Sequence, residues 1–551
     1  MTTVNIASHL PDMAAKQPDT AAVILPIGSD GKGGLSFQQF TFKELNERSD
    51  AIAAGLEAIG IKRGVRTVLM VTPCLDFFAL TFALFKNGAV PVFVDPGMGV
   101  KNLGKCLGEA EPVAFIGIPK AHIARLLMGW AKPTLKTVVT VGPRLFWGGT
   151  TLKSVIAEGE TVADYSMAET RAEEVAAILF TSGSTGIPKG VVYTHGTFAD
   201  QVEKIRRIYN IQPGEIDLPT FPLFALFAPA LGMTAVIPKM DFTKPGSVDP
   251  LNIIEPIQFF KATTMFGSPA LVNRVGRYGE ANGVELPTLK RVISAGAPVP
   301  PVALERFSKM LSDEAEIVTP YGATECLPVA SIGSKEIIAD TQFATKEGKG
   351  VCVGKPLDDL DVRIIGITDE PIENWSDELT VPDREIGEIT VKGANATREY
   401  FHRESSTKLA KIGDPEGGSF WHRMGDVGYL DGDGRLWMCG RKSHRVITKK
   451  GTLFTIPCEA IFNNHPEVFR TALVGARTNG GIKPVICVEL ESEFGAQDQG
   501  RVRKELLELG AARDLTKDID TVLFHPKFPV DIRHNAKIFR EKLAVWAEAR
   551  I

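Results

Sequence analysis

The sequence predicts an α/β protein with a large N-terminal multi-sheet α/β domain, residues 1–440, and a small C-terminal α/β domain, residues 441–551. Three observations predict it. The chain has 551 residues, more than one apolar core usually supports, so at least two domains are expected. Short apolar runs alternate with amphipathic stretches, the pattern of strands and helices packed in layers. Near residue 440 the composition changes and a smaller, highly charged unit begins.

Residues 41–58, TFKELNERSDAIAAGLEA, predict an amphipathic helix: Thr41 is placed to cap it, and Leu45, Ala51, Ala53 and Leu56 form its apolar stripe. RTVLMV (66–71) and AVPVFV (89–94) read as buried strands. Three segments run apolar into a small-residue loop: 173–182 (EEVAAILFTS), 292–298 (VISAGAP) and 317–325 (IVTPYGATE). We expect these junctions to converge at one edge of a sheet, where α/β proteins place ligands. GYLDGDGRLWMCG (428–440) predicts two short strands around an Asp-Gly turn, and residues 536–549 a terminal helix.

Composition excludes some classes. Apolar residues make up 44% and charged residues 23%, and the net charge is -4, so no basic footprint for nucleic acid is present. The seven cysteines show no zinc-ribbon spacing and predict inert thiols in a reducing cytoplasm. The start lacks a secretory pattern. The longest nearly apolar run, 223–237, lies between Pro222 and Pro238 and is too short for a bilayer span. It predicts core or pocket wall.

The chemistry-bearing residues lie in four motifs. In Thr181-Ser182-Gly183-Ser184-Thr185-Gly186-Ile187-Pro188-Lys189, small residues let backbone N–H groups face a phosphate, and hydroxyls and a lysine add donors and charge. It is not a Walker A loop; the lesser alternative, taken alone, is a flexible Gly/Ser loop. In Tyr321-Gly322-Ala323-Thr324-Glu325, glycine permits a turn beside a planar ring, and Thr324 and Glu325 offer oxygen to a phosphate or hard cation; alone it is equally a surface turn. Asp426 suits a ribose diol, and Arg441 a hydroxyl or phosphate; the plain alternative is a strand-end Asp and a solvated Arg. Lys537, taken alone, is a solvated charge.

Together, in this order, the motifs resemble the adenylate-forming superfamily of acyl-CoA synthetases, adenylation domains and luciferases across nearly the whole chain. The resemblance implies ATP and Mg2+ as cofactors. It implies nucleotide contacts from Thr181, Ser182, Gly183, Ser184, Thr185, Gly186, Lys189, Gly296, Ala297, Pro298, Tyr321, Gly322, Asp426 and Arg441. It makes Lys537, Glu325 and Thr324 catalytic and Glu325 and Thr185 the metal-side residues. It also makes 441–551 a mobile lid carrying the catalytic lysine, rotating between two half-reactions about a hinge near 441–451. This chain departs from the family pattern at Met424, where threonine is common, at Ala225, where histidine is common, and at Asn535 and Ala536 ahead of Lys537.

FPVDIRHNAKIFREKLAVWA (528–547) further resembles the β-lactone synthetases of bacterial olefin biosynthesis. That implies a long-chain 2-alkyl-3-hydroxy acid as substrate, adenylated and then closed on itself by its own hydroxyl. It implies no nucleic-acid partner and no transmembrane segment, and leaves open assembly with other enzymes of olefin biosynthesis. The alternatives are an acyl-CoA or acyl-AMP ligase, and a binding protein with a dead site. The latter is disfavoured because Lys189, Thr324, Glu325, Asp426, Arg441 and Lys537 are all present.

Overall fold

Thr41 accepts the Glu44 N–H at 3.1 Å while the Glu44 carboxylate accepts the Thr41 N–H at 2.8 Å. This capping box starts the helix Phe42–Ala58 where the sequence places it. The computed structural model describes residues 3–29, 35–180, 188–530 and 538–551. The expected strands appear as Arg66–Met70, Val90–Val94, Val175–Phe180, Arg291–Ser294 and Glu316–Ala323. Leu436–Arg441 returns antiparallel to Phe420–Leu430, across the expected turn. The terminal helix is Arg540–Glu548; residues 536 and 537 of its expected span lie outside the described residues.

Two large sheets carry the N-terminal part. In the seven-stranded sheet, Val175–Phe180 lies between Val90–Val94 and Gly190–Thr194. In the fourteen-stranded sheet, Arg291–Ser294 and Glu316–Ala323 are parallel neighbours. Its far half is antiparallel and includes Gly387–Lys392, Phe420–Leu430 and Leu436–Arg441. The three strand-to-loop junctions therefore do not share one sheet edge, contrary to the sequence expectation. One belongs to the first sheet and two to the second, because the ligand-sized space opens between the sheets.

The main apolar cluster packs the helices Phe42–Ala58 and Leu75–Lys86 between these layers. The apolar run 223–237 breaks into two short helices and the strand Thr234–Val236. Beyond residue 445, two further clusters built from Val446 to Ala547 contain no residue of the preceding part. A three-stranded sheet, Val468–Thr478, Gly481–Leu490 and Val522–Phe524, supports this smaller C-terminal domain. Arg445–Asp369 and Arg513–Glu347 ion pairs, at 2.5 and 2.6 Å, tie it to the large one. All seven cysteines are free, and all but Cys74 are buried, as the sequence reading expects. Among the described residues no helix is long and apolar enough to cross a membrane.

Candidate active site

A cavity of about 1450 Å³ opens between the two sheets. Phe180 borders it from one sheet; Gly296, Gly322, Thr324 and Glu325 border it from the other. Lys189, Met424, Gly425 and Arg441 complete its polar end, and Phe77, Phe82, Phe85, Leu223, Phe224 and Phe227 lie along its apolar reach. A carboxylic acid with long hydrocarbon arms needs this division: charge and donors at one end, apolar wall at the other.

Strand geometry positions the polar end. Glu316–Ala323 ends at the cavity, so Thr324 and Glu325 fall in the turn beyond it. Tyr400 Oη donates to Glu325 Oε1 at 2.7 Å, leaving the second carboxylate oxygen outside that bond. Lys189 Nζ lies 4.8 Å from the centre of the Tyr400 ring. Burial pushes the Lys189 ammonium below its usual range, opposed by the Glu325 charge. Such a lysine gains most from an incoming anion, whose charge offsets the hydration lost on burial.

Asp426 sits on Phe420–Leu430, opposite Arg441 in the adjoining strand. Tyr321 Oη donates to its Oδ2 at 2.9 Å, and Arg441 Nη1 stands 3.1 Å from its Oδ1. The Asp426 side chain is 3% exposed, and its Oδ1 has no hydrogen bond of good geometry. Burial raises this carboxyl group; Arg441 and the Tyr321 hydroxyl oppose the rise. An oxygen left short of a donor beside the cavity wall fits a ribose hydroxyl, which supplies one.

The structure thus gathers Lys189, Gly296, Gly322, Thr324, Glu325 and Arg441 around one space, with Tyr321 and Asp426 bonded behind its wall. Ala297 and Pro298 follow Gly296 but do not line the cavity. Thr181, Ser182, Gly183, Ser184, Thr185 and Gly186, and the lysine at 537, lie outside the described residues. Met424 lines the cavity, whereas Ala225 is buried behind it.

Sequence reading missed several residues of this site. Tyr400, Arg403 and His422 all border the cavity. Lys411 Nζ meets His422 Nδ1 at 3.1 Å and also donates to the Thr397 carbonyl. Burial pushes Lys411 down to about 7 and, with the Lys411 charge beside it, His422 well below its usual value. No spacing marks His422: consecutive residues His422, Arg423, Met424 and Gly425 all line the cavity, and the pairing of this strand shifts register within the stretch. Nothing in the sequence around Tyr400 marks it, because its partner Glu325 is 75 positions away.

Among the described residues no group of three His, Cys, Asp or Glu forms a metal cage. A lone Glu325 fits magnesium, which takes one or two protein carboxylates and completes its shell with water and phosphate oxygens.

The family model for AMP-binding enzymes matches residues 10–401. An olefin β-lactone synthetase from Xanthomonas campestris pv. campestris is 51% identical over 552 aligned residues, covering 99% of this chain and 98% of that protein. One from Stenotrophomonas maltophilia is 50% identical with the same coverage. Among solved structures, an anthranilate CoA ligase in complex with anthranoyl-AMP superposes with TM-score 0.78 at 17% identity, covering 100% of this chain and 98% of that one. ATP-bound MatB from Rhodopseudomonas palustris gives 0.78 at 19%, covering 99% of each chain. The superpositions carry the fold, and the sequence matches carry the membership: this chain belongs to the AMP-binding enzymes and, within them, to the olefin β-lactone synthetases.

Proposed function

We propose that this protein converts a long-chain 2-alkyl-3-hydroxy acid to a β-lactone, using ATP and releasing AMP and pyrophosphate. The observation that carries the reading is a single cavity with Lys189, Thr324, Glu325 and Arg441 at one end and an extended apolar wall at the other. Identity of 50–51% with olefin β-lactone synthetases over nearly the full chain supports it.

In the first step the carboxylate oxygen attacks the α-phosphorus of ATP; an O–P bond forms and the bond to pyrophosphate breaks. The polyanion repels this nucleophile, so positive charge and in-line placement are required. Lys189 stands at the cavity to provide charge, and Arg441 and Asp426 to hold the ribose. Bound magnesium supplies charge neutralisation at the phosphates, with Glu325 on its protein side and Thr185 as the loop hydroxyl. Lys537 adds the last charge from the small domain. We place the boundary of that mobile lid at 440/441.

In the second step the 3-hydroxyl oxygen attacks the acyl carbon, the bond to the phosphate oxygen breaks, AMP leaves, and the hydroxyl proton is released. The nucleophile is tethered, so no entropy is lost in bringing in a second substrate. Apolar walls deny water the same access to the anhydride. An ATP-consuming enzyme of this kind belongs in the cytoplasm, and its products suit assembly with other enzymes of olefin biosynthesis.

The test compares a 3-hydroxy acid with its 3-deoxy analogue, with ATP and magnesium, with and without coenzyme A. The hydroxy acid should give AMP, pyrophosphate and a product lighter by one water, independent of coenzyme A. The deoxy acid should be activated and then stall. Coenzyme-A-dependent turnover of the deoxy acid to a thioester, with no lactone from the hydroxy acid, would replace this reading by that of an acyl-CoA ligase.

A further inference from the structure

The helix Pro119–Met128 turns the wrong face outward for a globular protein. Its inner side is packed: Ala121 and His122 are buried. Ile123, Leu126 and Leu127, at helical i, i+3, i+4 spacing, face solvent, with Met128 beside them. The loop after Thr137–Thr140 extends this surface. Trp147 stacks on His122, ring centres 5.2 Å apart, and its indole N–H donates to Thr140 Oγ1 at 2.8 Å. That pinned tryptophan anchors the loop to the helix, Phe146 meets its ring edge-on at 5.5 Å, and Leu145 and Phe146 are exposed. Phe146 and Leu127, at 80% and 76%, are the two most exposed large apolar side chains among the described residues. Large apolar side chains left exposed on two joined elements mark a contact surface.

Charge identifies the occupant. Residues 112–157 hold six basic residues, Lys120, Arg125, Lys132, Lys136, Arg144 and Lys153, and no Asp or Glu, in a chain whose net charge is -4. Lys132 and Arg144, both exposed, flank the apolar patch in sequence. Exposed apolar side chains carried on a segment that has basic residues and no acidic ones match an anionic lipid surface. The patch also adjoins the site: Ile118, Lys120 and Ala121, at the start of the same helix, line the cavity.

We propose that the helix Pro119–Met128 and the Leu145–Phe146 loop dock this protein on an anionic membrane surface, placing the adjacent cavity mouth against the bilayer. A role in lipid uptake rests on the function proposed above: an acid with two long alkyl arms resides in a bilayer and is scarce in water. The docking itself does not rest on it.

The experiment uses the full chain with vesicles of phosphatidylcholine alone, or mixed with phosphatidylglycerol, at low and high salt, without substrate or nucleotide. Failure here therefore leaves the reaction untouched, and failure of the reaction leaves this result standing. The protein should sediment with the anionic vesicles, weakly with neutral ones, and less at high salt. The pair Leu127→Ser with Phe146→Ser, and separately Lys132→Glu with Arg144→Glu, should each lower the partition coefficient about tenfold or more. These exposed positions lie outside the catalytic machinery, so pyrophosphate release with a water-dispersed short-chain acid should be unchanged and report intact folding. Wild-type binding by both variants, or equal binding to neutral vesicles, overturns the proposal. So does a dimer that dissociates only in the Leu127→Ser, Phe146→Ser variant with no vesicle binding by the wild type, which assigns the patch to a second copy. Capture of an acidic protein partner by the patch without vesicle binding does the same.

Discussion

Asp426→Asn tests the ribose assignment most directly. Asparagine keeps the shape of the side chain and an oxygen for the Tyr321 hydroxyl, now bonded at 2.9 Å. It removes the charge beside Arg441, 3.1 Å away, and with it the ability of both oxygens to accept. Arg441 keeps 36% side-chain exposure and can turn to water, so the fold should survive. Two charge-assisted hydrogen bonds to the ribose diol become weaker or are lost, at a cost of about 1 kcal/mol each. The sum, about 2 kcal/mol, predicts a fall of about 30-fold in kcat/KM for ATP. The assay is pyrophosphate release against ATP concentration, repeated with the 2′,3′-dideoxy nucleotide. Wild-type enzyme should reject the dideoxy nucleotide and the variant should scarcely distinguish the two. Full discrimination retained by Asp426→Asn would show that the diol binds elsewhere and would refute the reasoning.

Glu325→Gln preserves the oxygen that receives the Tyr400 hydroxyl but removes the charge, so the magnesium concentration for half-maximal rate should rise about tenfold; an unchanged titration would exclude Glu325 as the metal-side carboxylate. Lys537→Ala should lower pyrophosphate release by about two orders of magnitude or more without altering thermal stability, and wild-type release would withdraw the assignment. Asp217 is fully enclosed in the strand Ile216–Pro219, with Oδ1 lacking a hydrogen bond; burial raises it from 3.8 to about 7, against the pull of Arg291. A carboxyl raised in the fold binds its proton more tightly there than in the unfolded chain. Its contribution to stability is therefore full below about pH 4 and is lost as pH rises through about 7, with a ceiling of about 4 kcal/mol. Urea midpoints between pH 5 and 8 should fall for the wild type and flatten in Asp217→Asn, and parallel profiles would show that Asp217 ionises normally.

The sequence by itself determined the chemistry and the class of fold. The Thr41 capping box, the strands entering Ser294 and Ala323, and the 428–440 hairpin are local features, set by side chains within a few positions of the backbone they shape. Each nucleotide motif is equally local, and their order along the chain is enough to identify the family. Tertiary structure alone decided which residues share the site. Tyr400 reaches Glu325, and Arg403, Lys411 and His422 gather nearby, through contacts between distant segments that leave no spacing to read. It also decided that the three strand-to-loop junctions meet between two sheets rather than on one edge. The same limit hid the outward face of Pro119–Met128. An i, i+3, i+4 apolar stripe predicts a buried helix face, because periodicity records only that such a face exists. Which side of the helix the sheet covers is settled by packing, and here His122, buried against Trp147, leaves Ile123, Leu126 and Leu127 at the surface.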